Sequence, residues 1–284
     1  MFVIIGSIIV LASLLGGFII AGGNPISLVH ISEIIIIVGI GVGSVVIANP
    51  LHMIMKIIGE MLGLLKGPSV KKQDYLDMMM MLYELFQFAK REGLIALEPH
   101  IEAPETSQII SKYPSFLKNH HAVEFLTDTL KVILSGGIPA HDLEDLMDLD
   151  LDGHHEEEHN ITSALTTLAD AFPGVGIIAA VLGIIVTMGA INEGAEAIGE
   201  KVAAALTGTF LGILLSYGFL GPMVKNMEMI HSLNGKFLLS LKAALLSFAK
   251  GAPAAVAVEY ARRAIDPHNR PSFAESEEAM KATK

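Results

Sequence analysis

His155-Glu156-Glu157-Glu158-His159 fits the H-E-x-x-H pattern. On a helix, two histidines four residues apart share a face and can hold a zinc ion beside a general-base glutamate. By itself the motif suggests a membrane-bound metalloprotease. Its surroundings read otherwise. Asp148 to Glu158 is strongly acidic, as a charged surface or a flexible link would be, and the sequence offers no evident third ligand. We assign no metal, no cofactor and no catalytic residue, and read the chain as a non-enzyme.

A second chemistry is the passage of ions. It needs groups that take up and release charge within a membrane. No Asp, Glu, Lys, Arg or His occurs from Met1 to Val29, from Ala171 to Asn192, or from Val202 to Val224. Inside these stretches stand only hydroxyls, among them Ser7, Ser13, Thr187, Thr207, Thr209, Ser216 and Tyr217; Ser44 lies in the stretch from Ile34. Glu33 and His30 sit at the edge of that last stretch. Either the chain carries no ions, or a partner supplies the missing carboxylate. A plain membrane scaffold fits the first case, and would show no ion flux with any partner.

These stretches define the architecture. Charged residues make up only 17% of the chain, below the roughly 25% of ordinary soluble domains. Each apolar run approaches the ~20 residues that a helix needs to cross a bilayer. We expect an all-α, polytopic membrane protein with four transmembrane helices, at 1–22, 33–50, 171–192 and 200–224. A helical cytoplasmic domain fills 51–168 and a cytoplasmic tail fills 225–284. The apolar start lacks the basic residues of a secretory signal, so it reads as a retained span. Of the 19 Lys and Arg residues, all but Lys201 lie between Leu51 and Leu165 or after Pro222. The positive-inside rule puts both segments, and both termini, in the cytoplasm. A net charge of −11 speaks against nucleic acid as a partner, and the absence of cysteine excludes disulfides.

Within the domain, Leu76, Met79, Met80, Leu82, Tyr83, Phe86 and Ala89 mark one helix, with Met78 to Met81 as core filler. Val123 to Ile133 marks another, stopped at Ser135-Gly136-Gly137. Pro139 and Asp142 open a third that leads towards span three. Pro173 is expected to start that span and Pro222, after Gly221, to end span four. Lys90, Arg91, Glu92 and Glu98 read as a solvated helix end and turn around Gly93; Arg262, Arg263 and Arg270 read as solvated tail charges. The many glycines of the spans allow close helix packing, within one subunit or between subunits.

Several stretches together resemble the MotA family of flagellar stator subunits over almost the whole chain. They are Gly208-Thr209-Phe210-Leu211-Gly212-Ile213-Leu214-Leu215-Ser216-Tyr217-Gly218-Phe219 with Gly221-Pro222, the run from Phe172-Pro173-Gly174 to Gly183, Glu33 with its apolar run to Ser44, Gly93 to Glu98, and Ala257 to Arg263 with Arg270 to Phe273. The resemblance implies a homopentamer around two copies of a MotB-like, single-span, peptidoglycan-binding partner, whose aspartate supplies the missing carboxylate. It implies that spans three and four line the ion pathway, with Pro173, Ala180, Thr209 and Pro222 along it. It implies that Lys90 or Arg91, with Glu98, meets the rotor protein FliG. Sodium-driven members have threonine at two facing positions; here these are Ala180 and Thr209, so the resemblance implies a proton-driven motor in the bacterial inner membrane. The alternative is an energiser of the ExbB/TolQ type, which usually has three spans. The segment from His154 to His159 has no counterpart in the resemblance.

Overall fold

The computed structural model describes residues 2–67, 70–136 and 138–282. Among them the chain is all helix and turn, with no strand. It divides into two compact units, one formed by residues 1–67 and 158–229, the other by 68–157 and 230–284.

The first unit holds the apolar helices. α1 is Phe2–Ile20 and α2 is Ile31–Ala48, preceded by a 3-10 turn over Pro25–Leu28 that Asn24 caps through its side chain. Among the described residues, four helices are long and apolar enough to cross a membrane: α1, the Pro25–Ala48 stretch, α8 (Ala140–Gly189), and the continuous run Ala195–Ala249. That run comprises α9 (Ala195–Ile213), a π-helical segment (Leu214–Leu220) and α10 (Gly221–Ala249). Few of their isoleucines and valines are covered, which is the surface a lipid solvent requires. α3 (Leu51–Gly63) follows α2 and is amphipathic. Its Leu51, Met55, Ile58 and Leu62 form one bare apolar stripe, the spacing of a helix that lies in the membrane–water boundary.

Both prolines depart from the sequence expectation. Pro173 does not begin a helix; it lies well inside α8. The loss of one hydrogen bond there is tolerated because the turns on both sides are already built. Pro222 does not end one either. The amide of Gly221 donates to the carbonyl of Ser216, five residues back, where an α-helix would reach four. This wider turn stands just before the residue that has no N–H to give, so the helix passes through the proline and continues to Ala249.

The second unit is a bundle around α4 (Lys72–Glu92). Met78, Met79, Met80 and Met81 are all buried, with Tyr75, Leu82, Leu85 and Phe86. Phe86 stacks on Phe248 of α10 at 4.1 Å, and Tyr75 meets Phe237 at 5.2 Å. α7 (His120–Ser135) ends at Gly136, whose φ of +69° stops the helix. The acidic run from Asp148 is not a flexible link, as its composition allowed. It is helical throughout, as part of α8. Lys242 of α10 pairs with Asp148 at 2.6 Å and Lys250 with Glu144 at 3.7 Å, so lysines meet part of the negative face. α11 (Ala254–Ala264) and α12 (Phe273–Ala282) complete the unit.

Candidate functional site

The membrane-spanning parts of α8 and α9 meet backbone to backbone. A methyl group at Gly212 would stand 2.5 Å from the carbonyl oxygen of Phe172, and one at Gly176 would stand 2.9 Å from that of Gly208. At Gly208 it would meet the Ala179 methyl at 2.9 Å, and at Gly183 the Ala205 methyl at 2.7 Å. Such distances leave no room for a side chain. Close approach of this kind is what small residues supply where lipid offers no hydrophobic drive to associate. The spacing Gly176, Ala179, Gly183 on α8 and Ala205, Gly208, Gly212 on α9 was visible in the sequence as helical periodicity of small residues. That signal would have identified the seam.

The question of what the glycines pack against is thereby answered for some of them. Gly176, Gly183, Gly208 and Gly212 close on this chain itself, as does Gly41, which faces the ring of Phe172. Gly39 and Gly43 of the same patch have nothing within 4 Å, and neither do Gly6, Gly16 and Gly17.

The seam sets Ala180 beside Gly208 and Thr209 beside Gly176. The amide nitrogen of Ala180 lies 3.3 Å from where a methyl at Gly208 would be, and the Cα of Thr209 lies 3.2 Å from the same point at Gly176. Both residues are half-buried. Thr187 and Thr207 turn their hydroxyls back onto Gly183 and Ala203, at 2.8 and 3.0 Å. The Thr209 hydroxyl makes no such bond among the described residues. Pro173 follows Phe172, whose carbonyl the seam covers. Pro222 lies past the π-helical segment and is exposed.

One carboxylate shares this unit's interior. Glu33 is 5% exposed, and its Oε2 accepts from Ser32 Oγ at 2.6 Å. The sequence placed it only at a span edge. Its spacing with Ile37 and Gly41 was the sign that it faces inward.

In the second unit, Lys90 and Arg91 occupy the last turn of α4, which Gly93 ends with φ +95°. Glu98 opens α5 (Glu98–Glu102) after a 3-10 turn. All three are exposed. Arg91 Nε bonds Glu92 at 2.9 Å, whereas Lys90 and Glu98 have no ion-pair partner among the described residues. A polar cleft of about 720 Å³ adjoins them, lined by Gln87, Arg91, His100, Gln108 and Lys112 among others. Burial lowers the pKa of His100, whose Nδ1 lies 2.7 Å from Ser107 Oγ. Lys112 and the Tyr113 hydroxyl both converge on Glu84 at 2.6 Å, and burial followed by this bond drives the Tyr113 phenol well up.

The tail arginines have structural work. Glu259 bonds Arg262 through both oxygens and Arg263 through one. Arg262 also donates to the Pro271 carbonyl at 3.1 Å and lies 5.9 Å from the Phe273 ring. Arg270 donates to the carbonyls of Ile265 and Arg263. His155 of the H-E-x-x-H motif packs near Gly235 of α10, its Cε1 3.4 Å from where a methyl there would stand.

Comparison with known proteins follows the same outline. The motility protein A N-terminal family model matches residues 4–93, and that of the MotA/TolQ/ExbB proton channel family matches residues 118–234. Motility protein A of Escherichia coli K12 is 33% identical over 284 residues, covering 100% of this chain and 96% of its own. The chemotaxis protein LafT of Vibrio parahaemolyticus is 33% identical over 273 residues, with 96% of each chain covered. Among solved structures, that of C. jejuni MotAB superimposes with a TM-score of 0.77 at 20% identity, covering 95% of this chain and 98% of that one. The flagellar MotAB stator complex of Bacillus subtilis gives 0.71 at 23%, covering 90% and 92%. With a third of its residues shared along its full length, and the same helical fold, the chain belongs to the motility protein A family.

Proposed function

We propose that this chain is the channel-forming subunit of a flagellar stator, working with a MotB-like partner in the inner membrane to turn proton flow into torque on the rotor. The observation that carries this reading is the glycine seam. It holds Ala180 and Thr209 at one helix crossing, in a chain related end to end to motility protein A. Five copies surround two copies of the partner's span. The partner's carboxylate takes and releases the proton, and Thr209 orients water beside it. Pro173 and Pro222 flank the path, and Pro222 sits where the π-helical turn gives the helix a place to bend. Ion passage, not a reaction on a substrate, is the work of this site. Both termini and the second unit face the cytoplasm, by the distribution of lysine and arginine.

The rotor face is the end of α4 with the start of α5. Lys90 is the main cation there, because its charge is free while that of Arg91 is already met by Glu92. Glu98 is the matching anion, and FliG is the protein they meet.

A proton needs one carboxylate and a path of water or hydroxyls, while sodium needs several oxygen ligands. The methyl of Ala180 can coordinate nothing. Cells that depend on this chain therefore swim at full speed in sodium-free buffer and stop when a protonophore is added. Speed that tracks external sodium and survives collapse of the proton gradient would overturn the reading.

A further inference from the structure

Histidines come in adjacent pairs at two places in the second unit: His120-His121, which open α7, and His154-His155 in α8. Neighbours in a helix point about 100° apart, so one member of each pair can face another helix while the other looks elsewhere. The Asn119 side chain accepts from the amide of Ala122 and fixes the first turn of α7. From that turn the ring of His121 meets the ring of His154, with centroids 4.2 Å apart and planes at 88°. His155 turns to α10, where its Cε1 stands 3.4 Å from the place of a methyl at Gly235. The fold thus joins two histidines that the H-E-x-x-H pattern does not pair.

We infer that His121 and His154 form a two-histidine site for a divalent transition-metal ion of the zinc and copper class, which clasps the start of α7 to α8. Three observations support it. The first is distance. Two imidazoles on one ion, each nitrogen about 2.0–2.1 Å from the metal, have centroids roughly 4.5 Å apart at a right angle and roughly 5.2 Å apart at the tetrahedral angle. The observed 4.2 Å falls just short of the first value. His121 is exposed, so its ring can open the remaining gap. The second is charge. Asp150 and Glu157 stand one turn before and one turn after His154 on the same side of α8, within the acidic run from Asp148 to Glu158. A field of that sign raises the local concentration of a cation. The third is the donor type. Neutral imidazole is the commonest metal ligand, and it suits zinc, copper and nickel rather than magnesium or calcium. No group of three His, Cys, Asp or Glu residues could hold a metal ion among the described residues, so water takes the other positions on the ion.

The clasp is a binding event and not a reaction. Imidazole nitrogens replace two waters on the ion, and no electron moves. It is independent of the channel reading, because it concerns the second unit alone.

The test uses the detergent-extracted full complex, first stripped of metal with a chelator. Zinc is then titrated in against a chromogenic chelator. The wild type takes up zinc at a site that H121A weakens about tenfold or more, since losing even an outer hydrogen-bond partner of a metal ligand commonly costs ~10–100-fold. H121C, which keeps a metal ligand, recovers most of the affinity, and H155A leaves it unchanged. With copper(II) as the probe, the electron paramagnetic resonance spectrum shows coupling to two ring nitrogens in the wild type and to fewer in H121A and H154A. Zinc raises the melting temperature of the wild type and not that of H121A, whereas a pair that only packs would give H121A the same deficit with or without zinc. Equal zinc affinity in the wild type and the H121A/H154A double variant overturns the inference. So does a copper spectrum that neither substitution changes.

Discussion

A free charge and a committed one behave differently when reversed. Arg91 is held by Glu92, but both are exposed, and such a pair contributes about 0–1 kcal/mol. Lys90 has no ion-pair partner to lose among the described residues. We expect K90E to cut swimming speed more than R91E does, with each leaving some motility and a compensating reversal on the rotor protein restoring it. Equal speeds in the two variants would remove the distinction.

Glu259 offers a pH test at the same scale. Its bond to Arg262, with that to Arg263, pulls its carboxyl from an ordinary value near 4.5 down to about 2. A carboxylate whose folded pKa is depressed stabilises the fold at pH above its unfolded value, and loses that contribution as pH falls through the folded one. The clamp between α11 and the segment at Pro271 is thus complete above about pH 4.5 and gone below about 2. E259Q should melt earlier than the wild type at pH 7, by circular dichroism of the detergent-extracted complex. The two melting temperatures should converge as pH approaches 2. A gap that persists unchanged into acid would mean the clamp is not what Glu259 provides.

At the scale of helices, the glycine seam sets the tolerance of spans three and four. Overpacking a close contact costs about 1–3 kcal/mol, and Gly212 opposes a backbone oxygen that no rotamer change can move. G212A should lower the yield of assembled complex in a co-purification assay. G39A should not disturb the single chain, since nothing lies within 4 Å of it there, and a loss with G39A would place that glycine against another subunit.

Much of this scale was legible in the sequence. The four apolar runs, the helix from Tyr75 to Glu92 and its Gly93 stop were all there to read. What escaped depends on contacts distant in sequence. Pro222 follows glycine, as helix-ending prolines do, and nothing local announces a five-residue hydrogen bond at Ser216. The acidic run from Asp148 looks like a solvated link until Lys242 and Lys250 are brought beside it from a hundred residues away. Glu33 reads as an edge residue because hydropathy averages over a helix and does not say which face is inward. For the proposed rotor contact, the family resemblance offered Lys90 or Arg91 without deciding between them. That choice rests on one ion pair.

At the scale of the whole molecule, the outer surface of the first unit is a question of partners. α1 has no buried residue, and its Gly6, Gly16 and Gly17 stand open. Lipid can cover such a face, yet open glycines on it match helix–helix contact better than lipid contact. Native mass spectrometry of the detergent-extracted complex should find five copies of this chain with two of the single-span partner. A stable monomer, or a ring of four formed without partner, would contradict the assembly.

The seam also constrains how this chain can drift. The contact of Gly208 with Ala179 is methyl against hydrogen. Moving the methyl from Ala179 to Gly208 removes the 2.9 Å clash but leaves a 3.3 Å approach to the Ala180 amide nitrogen, so the two positions can exchange alanine and glycine with a small adjustment of the helices, as long as both do not enlarge together. Gly212 has no counterpart to trade with, because the atom facing it is the carbonyl oxygen of Phe172, present whatever residue stands there. Of two glycines one helical turn apart, the first can be negotiated by a change elsewhere and the second is fixed by the backbone itself.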